Sequence, residues 1–279
     1  MLEKPKGTIV ALGCGECRKD ADIIKGVLQE AGKLIPKVCV FTLAADKPEE
    51  AEREYRELFR SLGVDEISVI NFKLHTEADS EENLEKVKQA NIVVFSDGSQ
   101  LKLSSLLGGT HLVARIRKRY YKERDFVVVG VSAGAAALAN TMIVSCNSID
   151  PMLKGELQIT NGLNLIGDVF IDTHFTERGK FGCLTQTVAF NPAVLGVGLS
   201  EDTAIIIKNE EIEVLGLGLV VLVDGTSIKY NDISEISHGD PITVEGVKLH
   251  FLSGSKRFLI KERQIQPSTR EYSENNIAC

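Results

Sequence analysis

From Thr8 to Val131 the chain alternates short β-branched runs with stretches of helical periodicity. The strand-like runs fall at 8–12, 38–43, 67–72, 92–95 and 126–131. Between them, Ile23, Ile24, Val27, Leu28 and Ala31 recur at helical spacing up to Gly32, and Ala51, Tyr55, Leu58, Phe59 and Leu62 recur up to Gly63. Strands separated by a helix's length of chain pair in parallel, because each crossover puts the next strand in the same direction. The rhythm therefore predicts an α/β fold with a largely parallel central sheet and helices on both faces. Asp46 is the expected N-cap of the second helix, with Pro48 in its first turn, and Asp79 with Glu82 has capping-box spacing ahead of Leu84 and Val87. The basic run Arg115, Arg117, Lys118, Arg119, Lys122 and Arg124 could meet an anionic partner, but reads better as a solvated helix face packed through Val113, Ala114 and Ile116.

Beyond Asn140 the texture changes. An apolar stretch at 162–175, a helix through Val188 and a strand at 194–199 precede short strands at 204–208, 213–215, 219–223, 227–230 and 247–251. Asn209-Glu210 and Asp224-Gly225 supply turns. These strands are expected to complete the sheet and add C-terminal antiparallel strands. Residues 1–265 read as one domain, with no linker or repeat to divide them, and 266–279 as part of a polar, frayed tail that begins at Gln264.

A net charge of −7 argues against a nucleic-acid partner, and no apolar run approaches the roughly 20 residues that span a membrane. Lys4 and Lys6 precede an apolar run too short for a secretory signal, so a cytoplasmic location is expected. The six cysteines, Cys14, Cys17, Cys39, Cys146, Cys183 and Cys279, then read as reduced thiols. Cys14-x-x-Cys17 could serve a thiol sensor or a metal, but no second pair or pair of histidines completes a zinc site. No metal or cofactor is expected.

The fifth strand runs into Gly130-x-Ser132-x-Gly134 and a small-residue, helix-compatible segment. That pattern sets a serine on a sharp strand-to-helix turn, with the backbone N–H of Ala133 beside it. An ordinary buried turn with a serine cap has the same spelling. A nucleophilic serine needs a base, and the base a carboxylate. His174 and Glu201 each end an apolar strand, which would bring all three to one sheet edge. His75, His111, His238 and His250 sit in less suitable surroundings. The ends of the first, fourth and fifth strands, Gly13-Cys14-Gly15-Glu16, Ser96-Asp97-Gly98-Ser99-Gln100 and the serine turn, would form the site floor. Equally, His174 could be a loop histidine and Glu201 a surface acid. Spacing alone leaves both open.

Four stretches occur in the order seen in cyanophycinases: Phe95-Ser96-Asp97-Gly98-Ser99-Gln100, Gly130-Val131-Ser132-Ala133-Gly134-Ala135, Asp172-Thr173-His174-Phe175-Thr176-Glu177-Arg178-Gly179 and Gly198-Leu199-Ser200-Glu201-Asp202-Thr203-Ala204. From Gly7 to about Ile265 the chain resembles that serine peptidase family, which includes the aspartyl dipeptidase E enzymes and has a fold similar to class I glutamine amidotransferases. The resemblance implies Ser132 as nucleophile, His174 as base, Glu201 as its orienter, and the N–H groups of Gly98 and Ala133 as oxyanion donors. It implies substrate contacts from Gln100, Asp172, Thr173, Arg178 and Lys180, a homodimer, and a cyanophycin-like or aspartyl peptide substrate. A dipeptidase of short Asp-containing peptides is the alternative, and a non-catalytic binding protein of the same fold the rival. Asp97-Gly98-Ser99-Gln100 stands where the family usually reads Gly-Gly-Asp-Gln. Thr173 replaces a glutamine, and Lys180 and Cys183 replace arginines, so altered specificity is expected.

Overall fold

The computed structural model describes residues 4–14, 21–32, 35–147, 149–254 and 256–268. Its first half alternates as the sequence predicts: β1 (Thr8–Leu12), α1 (Ala21–Glu30), β2 (Lys37–Phe41), α2 (Pro48–Ser61), β3 (Glu66–Ile70), α3 (Glu81–Gln89), β4 (Ile92–Phe95), α4 (Gln100–Leu107), α5 (His111–Lys122), β5 (Val127–Val131) and α6 (Ala133–Ala137). The five strands pair in parallel in the spatial order β1-β5-β4-β2-β3. Along each strand the side chains divide between two cores. Ile9, Ala11, Val93, Phe95 and Val128 join the core with α3, α4 and α5. Val10, Leu12, Val94, Val127 and Val129 join the core under α1 and α2. Burial on both faces is why these strands are unbroken apolar runs.

The exposed edge is closed by side chains. Arg56 and Lys86 donate to the carbonyls of Ile67 (2.8 Å) and Val69 (3.0 Å) on β3, which leaves less backbone free for another strand. Two helix starts differ from the sequence reading. Lys47, not Asp46, precedes α2, and its side chain makes no cap bond. Ser80 caps α3, accepting from the Asn83 N–H. Asp79 instead accepts from the N–H groups of His111 (3.1 Å) and Leu112 (2.8 Å), so its charge faces the positive end of α5. Within the basic run, Arg119 lies over the Phe126 ring and bonds Glu123, and Arg117 reaches the Leu163 carbonyl.

The second half contains β6 (Thr141–Cys146), β7 (Leu157–Asn161), β8 (Val169–Thr173), α7 (Phe181–Phe190), β9 (Leu195–Leu199), β10 (Thr203–Lys208), β11 (Glu211–Gly216), β12 (Val220–Asp224), β13 (Tyr230–Asn231), β14 (Val244–Glu245), β15 (Lys248–Leu252), β16 (Lys256–Leu259) and β17 (Gln264–Pro267). It does not simply complete one sheet. β10, β11, β16 and β17 extend the main sheet antiparallel beyond β1, giving nine strands, while β15-β12-β9-β8 forms a separate sheet of four. Asn209 and Glu210, both at positive φ, make the two-residue turn between β10 and β11. The expected strand at 227–230 reduces to Tyr230–Asn231 paired with β14. The β6–β7 ribbon, which the sequence does not announce, pairs with neither sheet but packs against them through Met142 and Ile143. Gln264–Pro267 is an edge strand paired to β16 rather than frayed tail, because Ile265 and Gln266 continue its ladder. Residues 269–279 lie outside the described residues. Among the described residues no helix is long and apolar enough to cross a membrane.

Candidate active site

Ser132 alone turns the chain from β5 into α6, at φ 50° and ψ −109°. That backbone conformation is costly for a residue with a side chain. Its surroundings impose it. A Cβ on Gly130 would lie 2.6 Å from the Ala135 Cα, and one on Gly134 would lie 2.3 Å from the Phe95 carbonyl oxygen. Only hydrogen at these two positions lets the helix fold back over the strand ends. The Ser132 N–H bonds the Leu12 carbonyl at 2.9 Å, tying the turn to β1.

His174 comes from the other sheet, one residue past β8. The next residue, Phe175, is fully buried among Phe170, Leu184 and Val188, and its N–H bonds the Leu199 carbonyl at 3.0 Å. This anchor fixes where the imidazole stands. His174 Nε2 lies 3.2 Å from Ser132 Oγ, and Nδ1 lies 2.6 Å from Glu201 Oε1. A carboxylate at Nδ1 assigns the proton to that nitrogen and leaves Nε2 to accept from the serine hydroxyl. The three residues therefore do not share one sheet edge. Ser132 stands on the main sheet, His174 ends β8 of the smaller one, and Glu201 lies in the turn by which β9 of the smaller sheet passes into β10 of the main one.

At the end of β1, Gly13 and Cys14 brace the turn that carries Glu201. Gly13 N–H bonds the Thr203 carbonyl, and the Cys14 carbonyl accepts from Asp202 N–H, each at 2.8 Å. Gly15, Glu16 and Cys17 lie outside the described residues, and with them the Cys14–Cys17 pair. Glu177, given no role in the sequence reading although it lies inside a quoted motif, completes the brace. Its Oε1 accepts from the Glu201 N–H (3.1 Å) and from Thr176 Oγ1 (2.9 Å), which is also 2.9 Å from Ser200 Oγ. Burial pushes the Glu177 carboxyl up, but its own backbone N–H, Thr176 and Glu201 together hold it below the usual glutamate range.

Ser132, His174 and the ends of β4 and β5 open into a cleft of about 890 Å³. Ala133 and Gly98 both line it. The Gly98 N–H is engaged, donating to Asp97 Oδ1 at 2.7 Å. Of the expected substrate contacts, all five line the cleft. Asp172 is buried, with Oδ1 accepting from Lys180 Nζ (2.6 Å) and Thr173 N–H (3.0 Å), while Oδ2 has no partner among the described residues. Burial pushes its carboxyl above the ordinary aspartate range, and Lys180, the Thr173 N–H and Arg178 pull back against that rise. Lys180 also donates to the Thr173 carbonyl, so its charge is already committed. Gln100 donates to the Ile143 carbonyl and holds the β6 wall. Arg178 is exposed and, among the described residues, forms no ion pair.

The expectation of reduced thiols is overturned at one pair. Cys146 and Cys183 form a disulfide with Cα atoms 6.0 Å apart, joining the end of β6 to the first turn of α7 in the cleft wall. They are 37 residues apart, and without β6 in view nothing in the spacing marks them as neighbours. Cys39 is a free, buried thiol, and Cys14 is buried beside Asp97. The other histidines lie elsewhere: His75 on the Gly108 carbonyl, His250 against Phe258, His238 beside Gly155 and His111 at the start of α5.

The family model described as peptidase family S51 matches residues 9–215. A cyanophycinase from Synechococcus elongatus is 30% identical over 263 residues, covering 94% of this chain and 81% of that protein. One from Geminocystis herdmanii (strain PCC 6308) is 28% identical over 266 residues, covering 95% and 97%. The crystal structure of a peptidase from an acI-B1 Actinobacterium is similar with a TM-score of 0.67 at 20% identity, over 92% of this chain and 98% of the other. A putative peptidase E protein from Listeria monocytogenes EGD-e is similar at 0.53 and 16% identity, over 76% and 99%. At these identities the two structures speak to the fold alone.

Proposed function

The chain belongs to peptidase family S51 and is a serine-type peptidase; from that premise we propose that it is an exopeptidase cutting cyanophycin-like or other aspartyl and β-aspartyl peptides through an acyl-enzyme. The observation that carries the reading is the continuous bond line Ser132 Oγ–His174 Nε2 (3.2 Å) and His174 Nδ1–Glu201 Oε1 (2.6 Å). In this mechanism the Ser132 oxygen attacks the amide carbonyl while His174 takes its proton. The Ala133 and Gly98 N–H groups receive the oxyanion. His174 then gives the proton to the leaving amine, and water, activated by the same imidazole, releases the acid and restores Ser132.

The cleft supports a substrate with a carboxylate. With Lys180 committed to Asp172, Arg178 is, among the described residues, the cation left to meet it. The resemblance supports a homodimer as part of the same reading. A dipeptidase restricted to short Asp-containing peptides is the second reading within the same chemistry.

The test is labelling by a fluorophosphonate, with the modified residue located by mass, followed by a panel of cyanophycin, β-aspartyl and α-aspartyl peptides. A label on Ser132 with turnover of aspartyl peptides is expected. Folded protein without label or turnover would leave a binding protein of this fold.

A further inference from the structure

The donor that the oxyanion needs is already taken by an anion. Gly98 N–H is one of two donors in the mechanism above, and it donates to Asp97 Oδ1 at 2.7 Å. A carboxylate on that N–H competes with the tetrahedral oxyanion for the bond and repels it at close range. Little holds Asp97 there. Among the described residues its Oδ2 has only the Cys14 thiol at 3.9 Å, and no cation pairs with it. The other acid of the cleft, Asp172, is matched by Lys180 at 2.6 Å. Among the described residues Asp97 is therefore a carboxylate without an ion-pair partner, in the same cleft as Ser132 and His174. The backbone cannot make way for it: Gly98 sits at φ 138°, where a Cβ would lie 2.1 Å from the Ala44 carbonyl oxygen. The Asp97 side chain is the part that can move.

We propose that Asp97 determines specificity by reading a positive charge on the substrate. An ammonium or guanidinium group near the scissile amide pairs with the carboxylate, draws it off the Gly98 N–H and so frees the second oxyanion donor. The inference rests on the roles proposed for Ser132 and Gly98. A peptide without such a charge reacts against the occupied donor and loses up to roughly a hundredfold in rate, since a single oxyanion donor carries about that much. Asp97 acts here by pairing with the substrate, and its removal should speed poor substrates rather than slow all of them.

The experiment uses the full chain in three forms: wild type, Asp97→Ala and Asp97→Asn. One readout is the rate of Ser132 labelling by an uncharged fluorophosphonate. The other is kcat/KM for matched aspartyl peptides bearing arginine or its uncharged isostere citrulline. Asp97→Ala should label about tenfold faster than wild type and lose about tenfold of the preference for arginine over citrulline, the worth of a charged hydrogen bond. Asp97→Asn keeps the shape and an acceptor without the charge, and should fall between the two. It also serves if the alanine variant folds poorly. Wild-type labelling and preference in both variants would overturn this proposal alone. Absence of Ser132 labelling in all three folded proteins would overturn it together with the nucleophile reading.

Discussion

Ser132 and His174 meet across 3.2 Å, yet opposite means hold them. The serine arm is set by backbone against backbone: Gly130 and Gly134 leave room for nothing larger than hydrogen, and β5 beneath them is wholly buried. The histidine arm is set by side chains: Phe175 packed in a small core, Glu177 on the Glu201 N–H, Lys180 on Asp172, and a disulfide at the start of α7. Steric fixing tolerates pH and redox change but little substitution. Fixing by carboxylates, an ammonium and a disulfide has the reverse sensitivities. One site thus combines a rigidly held serine with a histidine whose support answers to its surroundings.

The sharpest division between chemistry and support comes from Ser132→Ala. Loss of about four to six orders of magnitude in kcat is expected, with no fall in thermal stability, because the hydroxyl carries reaction and not packing. Retained turnover would remove the serine arm from the mechanism. On the opposite arm, Glu201→Gln keeps size and turn geometry but withdraws the charge that holds the His174 tautomer. A drop of roughly three to four orders in kcat at unchanged melting temperature is expected.

Reduction of the Cys146–Cys183 bond tests the claim that only the histidine arm feels redox. Freeing a link across 37 residues should lower unfolding free energy by about 2–4 kcal/mol, read by urea titration with and without dithiothreitol. The same shift in a Cys146→Ser variant would show that another group is the target of the reductant. Gly130→Ala is the matching test of the serine arm. Its added Cβ cannot fit 2.6 Å from Ala135 Cα, and about 1–3 kcal/mol of stability should go, equally in both redox states.

The smallest effect concerns pH. The Glu177 carboxyl is held below its usual range in the folded chain, so its stabilisation is present above the unfolded value near about 4.3 and fades as pH falls through the lower folded value. At this exposed position it is worth at most about 1 kcal/mol. Melting curves of wild type and Glu177→Gln should therefore differ at neutral pH and converge in acid. Asp172 has the opposite sign: burial raises its folded value, so its ionisation opposes folding as pH rises.

How much was legible in advance follows the same division. The parallel block is local in its coding, since each β-branched run and each helical stripe declares itself within a dozen residues, and β1 through β5 fall close to where periodicity puts them. Gly130-x-Ser132-x-Gly134 likewise carries its own geometry, because the glycines that permit the turn are neighbours of the serine they display. The β6–β7 ribbon carries no such signal: Thr141 to Cys146 mixes exposed and buried positions and belongs to neither sheet.

Sequence by itself determined the fold class, the serine turn and, through motif order, the residues assembled at the cleft. Tertiary structure decided what those residues do to one another. Only there does the second half split into two sheets, so that Glu201 bridges them and His174 reaches Ser132 from outside the sheet that bears it. Only there do Cys146 and Cys183 meet, Lys180 spend its charge on Asp172, and Asp97 settle on the Gly98 N–H. The physical reason is range. Backbone preference and periodicity act over a turn or a strand and are written in adjacent residues. Pairing of charges, thiols and hydrogen-bond donors acts between atoms a few ångströms apart in space, which the chain can bring together from any distance along its length.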